Sequence, residues 1–303
     1  MKYVQIMDAV GWIETMRKSL IGRFSFRRKK DRSMLSLNNS RTSLNVSPAW
    51  CDREIHQLTP ESFLSLLNNE IPAIRIPKFA DADECDLLAA GIEFFGFHYY
   101  KDVYPPIGRI GITQYEHGRN RNSYFASVRE ASRKQREALA DACDPIERMR
   151  QTLRRVFGGA SHVAYESEMR CSYFAGLIRQ INIALLHVDW ASLSAPNWEI
   201  SKALSQLAWN LFVRVPENGG ECVVHDRLWV PCHEEHLIPG SYGYDHKVVE
   251  NSENVALNPE VGDVLLFNSQ NFHQVNAGGN PGERLTISSF IGLMPNGRLV
   301  LWS

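Results

Sequence analysis

The chain has 303 residues, of which 44% are hydrophobic, so it can bury the core of one large domain or of two small ones. Its formal net charge of -1 excludes a general electrostatic attraction to nucleic acid or to a membrane surface. The six cysteines form no CxxC pair, and no apolar signal segment opens the chain. No run approaches the roughly 20 apolar residues of a membrane span. Together these observations favour a reducing, cytoplasmic setting.

Residues 1–50 differ in charge from the rest of the chain. They contain ten Lys or Arg and three Asp or Glu, a local charge of +7 that leaves -8 for the other 253 residues. We interpret this segment as a basic, disordered extension that could touch an acidic surface. Two alternatives stay open, namely an amphipathic helix at a surface and an organellar presequence, and Asp8 and Glu14 count against the second.

Residues 51–180 are predicted to form the helical part of one domain that spans residues 51–303. A threonine before a proline at 59 and 60 is typical of a helix start, and Asp144 before a proline is typical of another. The predicted helices cover residues 60–68, 85–94, 126–142 and 145–157.

This region also contains a predicted strand and a group of aromatic residues. Pro72 and Pro77 border the predicted strand, residues 71–76, and their positions place it at the edge of a sheet. The aromatic group is interpreted as core and rim packing rather than as a platform for a substrate. Its members are Phe94, Phe95, Phe97, Tyr99 and Tyr100.

From residue 181 onward the pattern becomes that of β-strands. Predicted strands lie near residues 181–190, 206–215, 221–230, 254–258, 263–267, 272–276 and 283–293. The turn sequences at 216–220 and at Asn296-Gly297 predict two hairpins. The fold class is therefore mainly β with flanking helices, as an antiparallel sandwich or an open barrel.

The predicted strand 181–190 carries the first chemical signal. Because side chains of a strand alternate between two faces, Ile183, Leu185, His187 and Asp189 should share one face. An imidazole and a carboxylate at this spacing make two thirds of a facial triad, which binds ferrous iron and leaves coordination positions open. A buried histidine that pairs with Asp189 is the alternative.

The third ligand and an anion-binding group follow later in the chain. His273 comes soon after a turn and a buried strand, and Arg284, Thr286 and Ser288 share one face of the next long strand. A buried arginine is costly without an anion, and its planar guanidinium suits a carboxylate. We therefore expect Arg284 to bind a carboxylate, with a structural ion pair as the alternative.

Together these residues resemble the motif set of the Fe(II)- and 2-oxoglutarate-dependent oxygenases. The motifs are His187-x-Asp189, His273 and Arg284-x-Thr286, and the resemblance covers residues 56–303. The resemblance implies a double-stranded β-helix core, jelly-roll or cupin-like, in residues 181–303. It also implies iron bound by the two histidines and the aspartate, 2-oxoglutarate gripped by Arg284 and Thr286, and O2 as co-substrate, with release of succinate and CO2.

Two further stretches narrow this resemblance. Three segments are similar to sequences of the subgroup of N-acyl amino acid hydroxylases and related alkaloid-modifying enzymes. They are residues 108–115, Gly219-Gly220-Glu221 and Arg227-Leu228-Trp229. The subgroup implies hydroxylation of an aliphatic C–H bond in a small molecule, either an amino-acid derivative or a secondary metabolite. Its halogenases replace the metal-binding acid with a small residue, so Asp189 favours oxygenation over halogenation.

For several other polar residues, a role in the site and a purely structural role are both open. Arg227 and Trp229 lie two apart, so both could face the cavity and contact a substrate, or they could form an ordinary pair at the barrel rim. Arg179 lies just before the metal-binding strand, and the same two roles are open for it. The rival cluster His233-Glu234-Glu235 has no strand to hold it, and we interpret it as a solvated loop that could serve as a lid over the cavity mouth.

Three classes of function stay open at this point. The favoured class is a 2-oxoglutarate-dependent dioxygenase, for which desaturation or ring formation are variants of the same chemistry. A cupin-like metalloenzyme that needs no 2-oxoglutarate would share the metal cluster but would have no use for Arg284. A catalytically silent metal-binding barrel is the third class. A nucleic-acid substrate is not expected, and the sequence does not indicate an oligomeric state.

Overall fold

The computed structural model of the protein describes residues 44–100, 103–118, 120–139, 142–279 and 283–303. The predictions made for residues 1–43 lie outside these ranges. Within them, none of the helices is both long and apolar enough to cross a membrane.

The predicted helices are confirmed, with small differences at their ends. In the described residues the α-helices are α1 (Pro60–Leu67), α2 (Ala82–Phe95), α3 (Gln114–His117), α4 (Arg121–Leu139), α5 (Pro145–Phe157) and α6 (Ala191–Ser194). Side-chain caps explain where they begin, because Thr59 accepts a hydrogen bond from the backbone of Ser62 and Asp144 accepts two in the first turn of α5. Helix α4 begins at 121 rather than 126 and ends at 139 rather than 142, and its buried stripe already starts at Tyr124 and Phe125.

The predicted β-rich half is also confirmed, and further short strands occur before it. The strands are β1 (Ile55–Gln57), β2 (Ala73–Ile76), β3 (His98–Tyr99), β4 (Gly108–Ile110), β5 (Ser161–Val163), β6 (Tyr165–Glu166), β7 (Cys171–Ser172), β8 (Leu177–Gln180), β9 (Ala184–His187), β10 (Ser205–Arg214), β11 (Cys222–Leu228), β12 (Asn254–Leu257), β13 (Val264–Asn268), β14 (Asn271–Val275), β15 (Leu285–Leu293) and β16 (Leu299–Trp302). The predicted hairpin at Asn296-Gly297 joins β15 to β16, which pair antiparallel. The hairpin predicted at 216–220 is wrong, because the strands on either side of it, β10 and β11, pair in different sheets.

Two sheets form the core of the described chain. The larger sheet has the order β1-β2-β13-β10-β15-β8-β4-β3, with β16 and β5 attached beyond β15, and the smaller has the order β12-β11-β14-β9. Large buried side chains such as Trp209, Phe212 and Trp302 fill the interior. Residues of both sheets line one cavity, which is the layout of the predicted jelly roll.

The prediction that strand 71–76 lies at a sheet edge is wrong. Strand β2 pairs antiparallel with β13 on one side and parallel with β1 on the other. Pro72 and Pro77 fall just outside the paired residues, so neither removes a ladder hydrogen bond. The covering strand β1 has three residues, too few to give a recognisable pattern.

The predicted strand 181–190 is wrong in its extent and in its alternation. Strand β8 pairs with β15 in the larger sheet and β9 pairs with β14 in the smaller one, so the chain crosses between the sheets around residues 181–183. In β9 the register shifts by one residue between Ala184 and His187. As a result Ala184 lines the cavity beside His187, whereas Leu185 packs against Gly243.

The interpretation of the aromatic group as packing holds for only part of it. Phe95 and Phe97 pack against the core. Phe94 is 96% exposed, and Tyr99 and Tyr100 line the cavity. The two tyrosines belong to the segment that includes β3, which pairs with β4 at the end of the larger sheet.

Candidate metal and carboxylate site

Two neighbouring strands of the smaller sheet bring the predicted metal ligands together. His187 on β9 and His273 on β14 are direct cross-strand partners, and their ring centroids lie 4.2 Å apart. Asp189 follows the end of β9, where its backbone N–H donates to the Ser269 carbonyl at 2.9 Å. Its own carbonyl accepts from Gln206 and from the Ser269 hydroxyl, each at 2.9 Å. These bonds hold the aspartate in place beyond the strand.

The two imidazoles present the same nitrogen to Asp189. Nδ1 of His187 donates to the Leu185 carbonyl at 2.7 Å, and Nδ1 of His273 donates to the Asn271 carbonyl at 2.9 Å. Each Nε2 then faces Oδ2 of Asp189, at 3.8 and 3.6 Å respectively, too far for a hydrogen bond. The three ligand atoms lie within 4.8 Å of one another. Two imidazole nitrogens and one carboxylate oxygen are the donor set that suits Fe(II).

The environment keeps these groups in the protonation states that metal binding requires. Burial, with help from the nearby His273, lowers the pKa of His187 to about 4. Burial alone would raise the pKa of Asp189, but His273, His187 and Arg179 together hold it below its usual range. At neutral pH, His187 is therefore neutral and Asp189 is ionised, and both can ligate a cation.

Arg284 is a buried cation without a carboxylate partner among the described residues. Its side chain donates from Nε to the Gly220 carbonyl at 3.0 Å, and its guanidinium carbon lies 5.1 Å from the ring centroid of Phe212. Burial lowers its pKa to about 10, which is the electrostatic cost of an uncompensated charge. In the described part of the chain, no acidic side chain lies within 4.0 Å of it, so the structural ion pair considered as an alternative is not observed.

The hydroxyl of Thr286 is a second polar group that has no partner. It is buried on β15, opposite Phe212 on one side and Arg179 on the other, and makes no hydrogen bond with any described residue. Thr286 does not itself line the cavity. A buried guanidinium without an acidic partner and a buried hydroxyl without a hydrogen-bond partner fit the carboxylate of a bound molecule.

The cavity between the sheets has a volume of about 750 Å³. This size falls in the range typical of ligand sites. Its wall combines the three metal-site residues with Arg284, Arg179 and Arg109, and with apolar and aromatic side chains. Tyr115 and Tyr242 line it too, although the sequence reasoning missed both. The segment 108–115 was the one signal that pointed towards Tyr115, and the strand Gly108–Ile110 within it brings Arg109 to the cavity.

Arg227 and Trp229 are not among the residues that line the cavity. Strand β11 shifts register against β14 between Val224 and Leu228, which breaks the alternation on which their prediction relied. Trp229 instead donates from its indole N–H to Glu234 at 3.1 Å. The predicted contact of this pair with the cavity is therefore not observed.

The segment around His233-Glu234-Glu235 is not a loop but a short 3-10 helix, Pro231–His236. Glu234 accepts hydrogen bonds from Trp229 and from the Tyr244 hydroxyl, which tie this helix to its neighbours. None of its residues lines the cavity, so a lid role has no support in the described residues.

His225, on β11, is a buried histidine whose surroundings predict a loss of stability in acid. It is 8% exposed, and neither ring nitrogen has a hydrogen-bond partner among the described residues. Burial first, and then the nearby His246 and His273, lower its pKa to about 4. In the unfolded chain it titrates near 6.5, so between these values the unfolded state binds more protons and stability falls as the pH falls.

We therefore expect the metal-free protein to lose stability from about pH 6.5 to about pH 4, and His225→Leu to reduce that loss. The measurement is the urea midpoint of unfolding at pH 7 and at pH 5. His162→Gln, at an exposed site, is the control and should leave the difference unchanged. An equal pH dependence in His225→Leu and the unaltered protein would contradict the assignment.

Comparison with known families and curated proteins gives three matches. The family model described as carrier-protein-independent halogenase WelO5 matches residues 51–303. The chain is 36% identical to leucinostatins biosynthesis cluster protein S from Purpureocillium lilacinum over 238 residues, 74% of this chain and 98% of the relative. It is 28% identical to L-gamma-glutamyl-L-propargylglycine hydroxylase from Streptantibioticus cattleyicolor over 176 residues, 57% of this chain and 64% of the relative.

Solved structures resemble the fold. An N-substituted L-amino acid dioxygenase from Burkholderia ambifaria AMMD matches with a TM-score of 0.55 and 15% identity, over 80% of this chain and 91% of that one. A structure of such an enzyme from the same organism, in complex with alpha-KG, gives a TM-score of 0.54 and 16% identity over 80% and 90%. At this identity the likeness concerns the fold alone, and it confirms the predicted double-stranded β-helix.

Proposed function

This chain belongs to the family of the carrier-protein-independent halogenase WelO5, and we propose that within this family it hydroxylates a small molecule. It is an Fe(II)- and 2-oxoglutarate-dependent oxygenase, as the sequence resemblance predicted. The observation that carries the proposal is the convergence of His187, Asp189 and His273 within 4.8 Å of one another, on the wall of a cavity that also holds an unpaired buried arginine.

Asp189 supports hydroxylation over halogenation. A carboxylate at this position supplies the third protein ligand, so the position that a halide would need is taken. The relative named as a hydroxylase is consistent with this choice. Halogenation by the unaltered protein would require the aspartate to leave a position in which three backbone hydrogen bonds secure it.

The proposed division of labour assigns each residue a physical task. Iron and 2-oxoglutarate, when bound by these residues, would supply with O2 the oxidant for an aliphatic C–H bond. His187, Asp189 and His273 hold the metal, and the carbonyls that accept their Nδ1–H groups orient the two rings. Arg284 would bind the far carboxylate of the co-substrate, and the apolar wall would position the substrate and exclude water. Thr286, which does not line the cavity, stays a predicted second contact of that carboxylate.

The substrate is proposed to be an amino-acid derivative or a secondary metabolite. The names of the two curated relatives refer to a biosynthesis cluster and to a dipeptide hydroxylase, and the similar structure is of an enzyme that acts on N-substituted amino acids. The cavity size suits such molecules. A cytoplasmic location remains part of the proposal, since all six cysteines are free thiols in the structure.

The proposal is tested by a substrate screen that measures succinate formed from 2-oxoglutarate, with iron loaded anaerobically before O2 is admitted. We expect succinate to depend on added 2-oxoglutarate and to rise with the correct substrate. Turnover without 2-oxoglutarate would favour a cupin-like enzyme. Metal binding with no turnover of any substrate or co-substrate would favour a silent barrel.

We also propose that residues 51–303 form the catalytic domain and that the basic segment before it is dispensable. Deletion of residues 1–43 should leave turnover within about twofold. Deletion of residues 1–50 should in addition lower the unfolding midpoint, because it removes the Trp50 amide, which donates to both carboxylate oxygens of Asp226 at 3.2 and 3.1 Å. Turnover and thermal unfolding of both truncations check this, and loss of activity in a folded 44–303 chain would contradict it.

A further inference from the structure

Three arginines line the cavity, and they differ in how their charges are compensated. Arg109 pairs with Glu116, donates to the Gly111 carbonyl at 2.7 Å and lies over the ring of Tyr100. Arg284 is assigned above to the far carboxylate of 2-oxoglutarate. Arg179 has neither an acidic partner in the protein nor a co-substrate carboxylate assigned to it. Within the described residues, no acidic side chain lies within 4.0 Å of it.

Arg179 is nevertheless held in position. It lies on β8, opposite Thr286 of β15 and Arg109 of β4, and its Nη2 donates to the Ser288 hydroxyl at 3.1 Å. Its Nε is buried and has no hydrogen-bond partner in the described chain. A guanidinium that lines a cavity, is held by one neutral hydroxyl and has no acidic neighbour among the described residues can bind an anion that the protein itself does not provide.

The position of Arg179 separates it from the place assigned to 2-oxoglutarate. Its backbone lies opposite Thr286, two residues from Arg284, and its anchor Ser288 lies two residues further along β15, about 13 Å from residue 284 along the strand. The guanidinium therefore leans along β15 away from residue 284. It lines the same cavity as His187, Asp189 and His273.

Counting formal charges leads to the same conclusion. The formal charges sum to zero for a divalent iron (+2), 2-oxoglutarate (-2), Asp189 (-1) and Arg284 (+1). The positive charge of Arg109 is balanced by the negative charge of Glu116. One positive charge is left in the cavity, on Arg179. A single carboxylate on the second organic molecule would neutralise it, and burial of that carboxylate would otherwise be costly.

We propose that Arg179 binds a carboxylate of the substrate, so that the enzyme acts on an acidic small molecule whose remaining part is apolar. This inference rests on the proposed function of the site. The apolar part of the cavity wall, which includes Ile107, Ile181 and Phe290, suits the uncharged part of such a molecule. The carboxylate would fix one end of the substrate, which determines the C–H bond that faces the metal.

The test is a direct binding measurement on the full chain, loaded with Fe(II) and 2-oxoglutarate without O2. The probes are a panel of N-acyl-L-leucines and the matching N-acyl-L-leucinamides, which differ only in the charge of the terminal group. Calorimetry should show at least one acid that binds about 10-fold or more tightly than its amide. Arg179→Gln should weaken the binding of that acid by roughly 10- to 100-fold and leave the affinities for the amide and for 2-oxoglutarate unchanged.

Two further variants make the result specific. Arg179→Lys should restore part of the preference for acids, and Arg214→Gln, which breaks an exposed pair with Glu93, should change nothing. The inference is overturned if no acid is preferred, if the preference survives in Arg179→Gln, or if that variant loses 2-oxoglutarate binding to the same degree. If the unaltered protein binds no 2-oxoglutarate with Fe(II), the proposed function itself fails.

Discussion

Substitution of Asp189 by glycine should abolish hydroxylation while the protein stays folded. The carboxylate is one of three metal ligands, whereas the fold at this point depends on the pairing of β9 with β14 and on the backbone bonds of residue 189, which glycine retains. Loss of a single residue that supports a metal ligand already costs about 10- to 100-fold. We therefore expect product formation to fall by at least about 100-fold and the affinity for Fe(II) to fall with it.

The measurement pairs metal affinity with the mass of the product, with and without chloride. Chloride-dependent product from Asp189→Gly would mean that the vacated position accepts a halide. Asp52→Gly, at an exposed carboxylate outside the cavity, is the control and should keep turnover within about twofold. Hydroxylation retained by Asp189→Gly, or chlorination by the unaltered protein, would contradict the role assigned to this residue.

The chemistry of the site could be predicted from the sequence because its parts are carried by short local patterns. His187 and Asp189 lie two residues apart, and Arg284 and Thr286 do too, so each pair is recognisable without knowledge of the fold. The pairing of His187 with His273 across two strands is a long-range feature. It was accessible only because the order of motifs resembles a known family.

The faces of the strands could not be predicted, because alternation fails where the register shifts. One shift in β9 brings Ala184 rather than Leu185 to the cavity, and another in β11 removes the basis for placing Arg227 and Trp229 there. A bulge adds a residue without an obvious mark in the sequence. Predictions that rest on alternation over four or more residues are therefore the least secure in this chain.

Arg179 illustrates a second limit, which concerns partners. Its significance depends on Ser288, 109 residues away, and on the absence of an acidic neighbour among the described residues. Neither fact can be derived from residue type or spacing. A compensated arginine such as Arg109 has the same appearance in the sequence, although its charge is satisfied by Glu116.

Replacement of Arg284 by methionine should have two effects of opposite sign. Without 2-oxoglutarate, the unaltered protein buries a guanidinium that has no acidic partner in the described residues, and an apolar side chain of similar length removes that cost. Replacing buried charges by well-packed apolar groups is often neutral or stabilising by about 1 to 4 kcal/mol. We therefore expect the free energy of unfolding of the metal-free variant to be equal or higher.

The same substitution should remove the response to the co-substrate. A ligand that binds only the folded state stabilises it by an amount that grows with the ratio of its concentration to Kd. Loss of a buried charge-assisted contact costs about 2 to 5 kcal/mol, so the KM for 2-oxoglutarate should rise by at least about 30-fold. Thermal unfolding of the iron-loaded variant should then show no shift with 2-oxoglutarate at concentrations that shift the unaltered protein.

Arg214→Met is the matched control, because it removes an exposed arginine that pairs with Glu93 outside the cavity. It should leave both the unfolding transition and the 2-oxoglutarate response within error of the unaltered protein. A strongly destabilised Arg284→Met that still responds to 2-oxoglutarate would mean that the guanidinium stabilises the fold through the Gly220 carbonyl and the Phe212 ring. A variant that is stable but unresponsive assigns Arg284 to the co-substrate, because only a group that contacts the ligand can separate the two effects.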